Sequence, residues 1–217
     1  MDTIIYLIFT LTYILLFAIG IFSLRRKATA PGTILLLVTF GLILDNSIIA
    51  SGAFIGEGPQ LNSISLIRFW THALFTPFLV LFAWYIANGF GVKWAKSRVS
   101  YYFALVFTLV LMIIEIVTET LPLSLIPVYE YGVLRYSSAH TSGPPMMVLF
   151  LMVYLLAAGY SIWRKTKWPI MLIGVVIMLI GSAISLPVPS SAATNAFELI
   201  FVLALWLSYR KSLKAAD

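Results

Sequence analysis

Seven long apolar runs follow one another along this chain, at about residues 3–24, 31–52, 64–89, 99–120, 145–163, 169–187 and 192–209. Each is far longer than the roughly 4–8 residues of a buried strand, and none alternates as the strands of an outer-membrane barrel do. Backbone amides in lipid must be satisfied within their own segment, so runs of this kind fold as helices. One helical span takes ~20 residues, so seven consume most of the chain and leave only loops. Charged residues make up 10% of the chain, against roughly 25% in a soluble domain. The expected fold is an all-α integral membrane protein: a single seven-transmembrane-helix bundle covering residues 1–217. Pro169 falls where a helix accepts proline, while Pro31 and Gly32 break the chain between the first two spans.

The basic residues orient the bundle. Arg25, Arg26 and Lys27 follow the first span, and Lys93, Lys96 and Arg98 follow the third. Arg164, Lys165 and Lys167 follow the fifth, and Arg210, Lys211 and Lys214 follow the seventh. Twelve of the 14 Lys and Arg residues therefore share one side, which the positive-inside rule makes cytoplasmic. The N-terminus is then outside and the C-terminus inside. The first span is retained as a helix, because its basic cluster trails the apolar run rather than leading it. The net charge of +6 is split among four short loops. It suits anionic lipid and argues against a nucleic-acid partner. The absence of cysteine excludes disulfides and iron–sulfur clusters, and with the short loops it points to the inner membrane of a prokaryote.

Against this background the placement of membrane-depth charge is informative. Asp45, Arg68, His72, Glu115, Glu119 and Glu198 all fall in the outer halves of their spans. An ionisable side chain at such depth costs at least ~2.5 kcal/mol unless something solvates or pairs it. At 1.5 Å per residue, Asp45, His72, Glu115 and Asn195 lie roughly 6–8 Å outside the midplane, and Glu198 ~4 Å. Arg68 and Glu119 lie nearer the outer interface. Arg68, His72 and Thr76 share a helical face, as do Glu115 with Glu119 and Asn195 with Glu198. Asn46 follows Asp45 but points about 100° away from it. Pro77 predicts a kink beside His72. The cytoplasmic halves hold no ionisable acid or base of this kind, only Asn88, hydroxyls and aromatics.

Between the fourth and fifth spans, residues 121–143 form an outer loop rich in apolar and aromatic side chains. The stretch Val128–Tyr136 has the composition of a short hairpin turning near Gly132. It is expected to lie as a lid over the polar layer, with Glu130, Arg135 and His140 close enough to dip towards it.

These residues define the candidate chemistry. Asp45, His72, Glu115 and Glu198 are the candidate catalytic groups, and Arg68, Asn195, Glu119, Asn46 and His140 the candidate substrate-binding ones. Carboxylates with an imidazole serve as general acid and base, or hold a divalent metal that activates water. With only His72 and His140 in the chain, a three-histidine metal site is excluded. Seven spans with an outside N-terminus is also the topology of microbial rhodopsins. Here, however, Gly181 to Arg210 contains no lysine to form a retinal Schiff base. One-sided polarity favours an enzyme of hydrolase type acting from the outer face on a lipid or other amphipathic molecule. A small-solute or proton-coupled transporter and a non-catalytic ligand-binding sensor or accessory subunit are the alternatives. A relay across the membrane would place polar stations in both halves.

Overall fold

The computed structural model describes residues 2–26, 28–139, 144–183 and 190–216. The chain is mostly helical. In order it forms α1 (Asp2–Arg26), α2 (Ala30–Ile55), α3 (Pro59–Phe75), α4 (Leu79–Gly89), α5 (Arg98–Glu115), α6 (Met146–Thr166), α7 (Ile170–Ala183) and α8 (Ala193–Ala216). Between α5 and α6 stand strands β1 (Leu125–Glu130) and β2 (Val133–Ser138). Among the described residues, five segments are long and apolar enough to cross a membrane: Asp2–Arg25, Ala30–Ile55, Pro59–Gly89, Arg98–Thr120 and Met146–Thr166. The described part of α7 is apolar but only 14 residues long, and residues 184–187 of the expected sixth span lie outside the described residues.

Several boundaries differ from the sequence reading for identifiable reasons. Pro31 and Gly32 do not break the chain but lie in the first turn of α2. Proline is tolerated there because its missing N–H would have had no intrahelical partner. Helix α3 begins at Pro59, five residues earlier than hydropathy indicates, because its first turn is polar (Gln60, Asn62, Ser63) yet carries Leu61, which is buried. The proline break is real: α3 gives way at Thr76–Phe78 to a short 3-10 turn before α4 resumes. At the top of α5 the chain widens into a π-helical turn over Ile116–Thr120, with the Leu121 amide donating to the Ile116 carbonyl at 2.8 Å.

Helices α2 and α4 form the centre. Helix α2 packs against α1, α3, α4 and α8, while α4 packs against α2, α5, α6 and α8. Every residue of Leu79–Ala87 except Tyr85 is buried. Glycines set the closest approaches: a Cβ on Gly174 would collide with the side chain of Ala204, one on Gly181 with Phe197, and one on Gly159 would press on Leu172. These are packing notches between α6, α7 and α8, of the kind small residues supply in membrane bundles.

An all-α description omits the hairpin. β1 and β2 pair antiparallel from Leu125↔Ser138 to Glu130↔Val133. They are joined by Tyr131 and Gly132, whose φ angles of 50° and 81° are both positive, as a tight two-residue type I′ turn requires. The hairpin is longer than the sequence indicates, starting at Leu125 rather than Val128. Leu134 and Tyr136 join Ile48 and Leu61 in a small apolar cluster beneath it. Gly52 lies so close to the Leu134 carbonyl oxygen that a Cβ there would overlap it. The turn is also clamped to the start of α1, where the Thr3 hydroxyl donates to the Gly132 carbonyl at 2.9 Å and the Asp2 amide to that of Tyr131 at 3.3 Å.

Candidate functional site

Beneath the hairpin, α2 and α3 present their charged residues to each other. Arg68 Nε donates to Asp45 Oδ1 at 2.8 Å, with the side chains only 13% and 23% exposed. The same guanidinium donates from Nη1 to the Tyr136 carbonyl at 3.2 Å. Arg68 therefore ties the α2 carboxylate to the second strand of the hairpin. Tyr136 also fixes the entry to α3, its hydroxyl accepting from the Gly58 amide at 3.2 Å. Among the described residues Glu119 is not the partner of Arg68. The structure gives that place to Asp45 because the guanidinium reaches across to the neighbouring α2.

One turn further into α3, His72 lies between two helices. Its Nδ1 is 3.2 Å from the Thr76 hydroxyl and its Nε2 is 3.9 Å from Glu115 Oε1. The break at Pro77 sits just beyond this residue, and Thr76 opens the 3-10 turn. Glu115 is buried, and its Oε2 has no hydrogen-bond partner among the described residues. The π turn that follows alters the register that places Glu119 one α-helical turn above Glu115, and the Thr120 hydroxyl donates back to the Glu115 carbonyl at 3.3 Å. Such π turns are frequent at functional positions.

Two cavities meet along this wall. The first, of about 250 Å³, is lined by Asp45, Arg68, His72, Thr76, Asn195 and Glu198 among its polar residues. Apolar side chains complete its lining: Val38, Leu42, Leu79, Val148, Leu151, Met152, Met178, Phe201 and Val202. The second, of about 260 Å³, is lined by Glu115, Glu119, Phe69, Leu123, Ser138 and Pro145, and again by Asp45, Arg68 and His72. The shared residues make a partition with a different carboxylate set on either side.

Seven of the nine candidate residues line one cavity or both. Asn46 does not. It is fully buried, donating from Nδ2 to the Leu42 carbonyl at 2.9 Å and accepting from Asn195 Nδ2 at 3.4 Å. It links α2 to α8 and steadies Asn195 at the cavity edge. His140 lies outside the described residues. Glu130 and Arg135 do not reach the cavities but face each other on the hairpin, Arg135 Nη2 standing 3.5 Å from Glu130 Oε2. Among the described residues no three His, Asp or Glu side chains converge as a metal site.

Sequence reasoning missed Asp2. Its carboxylate is buried and accepts from the Ser191 amide at 2.6 Å, the Ser191 hydroxyl at 3.0 Å and the Ser190 hydroxyl at 3.1 Å. The Tyr6 hydroxyl adds a bond to the Ser191 carbonyl at 2.9 Å. Together they position the start of α8, and so Asn195 and Glu198. The signal was an acidic residue at the head of an apolar run, opposite a Ser-Ser pair that precedes another.

The long apolar helices and their buried glycine contacts are those of a polytopic helical membrane protein. No protein-family model matches the chain, and no curated protein and no solved structure matches it either.

Proposed function

We propose that this is a seven-span protein of a prokaryotic inner membrane, with its N-terminus outside and its C-terminus in the cytoplasm. Its outward polar layer is the active site of a hydrolase-type enzyme for a lipid or another amphipathic molecule. The observation that carries this reading is the position of His72, flanked by the Thr76 hydroxyl and the Glu115 carboxylate where the two cavities meet. A carboxylate orients an imidazole and supports the charge it gains on accepting a proton. In the proposed step, His72 takes a proton from water as the water oxygen adds to the substrate's acyl or phosphoryl centre. The same proton then passes to the leaving oxygen. Arg68 and Asn195 would hold the developing oxyanion. Asp45 holds Arg68 in place, and Glu198 accepts a hydrogen bond from the substrate's polar head. The apolar wall of the first cavity, from Val38 to Phe201, suits the hydrocarbon portion.

The sequence supports an enzyme over a transporter, because the charged groups are confined to one half of the spans. The test is turnover. Protein reconstituted into vesicles of a total polar lipid extract is incubated, and the lipids are followed by mass spectrometry. Wild type should deplete one lipid class with matching gain of its hydrolysis products, and His72→Gln and Glu115→Gln should suppress this by at least about a hundredfold. No wild-type turnover of any lipid, or full turnover by His72→Gln, would dispose of the proposal.

A further inference from the structure

At the end of the bundle opposite the hairpin, a further cavity of about 390 Å³ lies between the last turn of α4 and the first of α5. Lys96 and Arg98 line it together with Trp84, Tyr85, Asn88 and Tyr101. Its shape follows from the connection. Gly91, at φ 70°, turns the chain out of α4, and a 3-10 turn over Trp94–Lys96 leads to Ser97. The Ser97 hydroxyl caps α5, accepting from the Val99 amide at 3.2 Å. The positive end of an 18-residue helix therefore adds to the two side-chain cations.

Neither cation is neutralised: among the described residues the ion pairs involve only Arg68, His72 and Arg135 as bases. The aromatic wall is fixed in place. The Tyr101 ring centroid is 4.9 Å from that of Trp84 and 6.4 Å from that of Tyr85, and Trp84 Nε1 donates to the Ser100 hydroxyl at 3.0 Å. From this cavity an apolar strip continues along the outer face of α5. Val99, Phe103, Val106, Val110 and Ile113 recur at helical spacing and are 42–77% exposed.

We propose that this cavity binds the phosphate-bearing headgroup of an anionic phospholipid, with an acyl chain lying along the Val99–Ile113 strip. Paired cations and a helix N-terminus match a phosphodiester, and each basic side chain near such a headgroup contributes about 1 kcal/mol. The adjoining strip selects a lipid over a free anion, which would gain nothing from it. The site is separate from the outer polar layer, and the proposal stands whether or not that layer is catalytic.

The experiment titrates delipidated protein in neutral detergent with phosphatidylglycerol or phosphatidylcholine and counts bound lipid by native mass spectrometry. Wild type should bind phosphatidylglycerol at least about tenfold more tightly than phosphatidylcholine. Lys96→Gln/Arg98→Gln should abolish that preference, whereas Lys96→Arg/Arg98→Lys, which keeps both charges, should retain it. Lys165→Gln/Lys167→Gln, in another basic loop, should change it less than about twofold. Equal losses in the two glutamine variants would reduce the effect to diffuse attraction and overturn the proposal. So would loss of preference in the charge-conserving variant. Displacement of the lipid by millimolar inorganic phosphate would identify a free-anion site and overturn the lipid assignment.

Discussion

Replacing Asp45 with Asn while leaving Arg68 in place separates a structural ion pair from an independently charged site. The two side chains are 2.8 Å apart and mostly enclosed, at 13% and 23% exposure. A fully buried pair loses about 3–5 kcal/mol when one partner goes, and an exposed one about 0–1 kcal/mol. Because the pair borders a cavity, and Arg68 keeps its bond to the Tyr136 carbonyl, the expected loss is ~2 kcal/mol, roughly thirtyfold in the folding equilibrium. Glu198→Gln should behave differently. Glu198 lines the same cavity but forms no ion pair among the described residues, so its neutralisation should leave stability unchanged or slightly raised. Reversible denaturation in mixed micelles, applied to Asp45→Asn, Arg68→Gln, the double variant and Glu198→Gln, measures each term. The double variant should be less destabilised than the sum of the singles by about 2 kcal/mol. Strict additivity, or equal destabilisation by Glu198→Gln, would refute the assignment of Asp45 as the partner and Glu198 as the free carboxylate.

Further outcomes follow from the hairpin and the termini. Gly52→Ala should lift β2 off α2, because the added Cβ would overlap the Leu134 carbonyl oxygen. We expect a cost of about 1–3 kcal/mol and faster proteolysis within residues 125–138, whereas unchanged protection would show that the hairpin shifts at little cost. Asp2→Ala removes the acceptor of three bonds at Ser190 and Ser191, so amide exchange in the first turn of α8 should rise at least about tenfold. Cysteines placed near Glu57 and Glu130 should react with an impermeant thiol reagent in intact cells. Those near Lys96 and Lys165 should react only after permeabilisation, and labelling of Lys96→Cys in intact cells would reverse the orientation.

Five of the seven expected spans were legible as helices long enough to cross a membrane, because a membrane solvent leaves few choices: an apolar run of sufficient length must satisfy its own backbone. The hairpin was half legible. The aromatic and β-branched residues of β2 and the glycine of its turn signalled themselves, but β1 contains Pro127, and proline normally demotes a strand. It is tolerated here because, among the described residues, the sheet has only two strands. An edge residue has one side without a partner, so no ladder bond need be lost there. Boundaries such as the start of α3 were misplaced because a buried Leu61 holds a polar first turn in the helix, and hydropathy averages such a turn away.

Depth along a helix is read from sequence, but azimuth is not, and the candidate site shows the difference. Counting residues assigned Asp45, His72, Glu115 and Glu198 to one layer; in the structure Asp45, His72 and Glu198 line one cavity, and Asp45, His72 and Glu115 the adjoining one. It did not say which neighbour each would face. Arg68 and Glu119 were both placed nearer the outer interface, yet α2 packs beside α3 and it is Asp45 that comes within 2.8 Å of Arg68. Asn46, one residue on, turns the other way and bonds to Asn195 instead. The same limit hid Asp2, whose partners Ser190 and Ser191 are 188 and 189 residues distant in sequence. A carboxylate at the head of α1 gains meaning only once α8 starts beside it. Its three bonds then make the N-terminus part of the scaffold that sets Asn195 and Glu198 at the cavity. Arg68 does the corresponding work on the other wall, holding Asp45 with one nitrogen and the hairpin with another. The ion pair and one bond to the hairpin therefore share a single guanidinium.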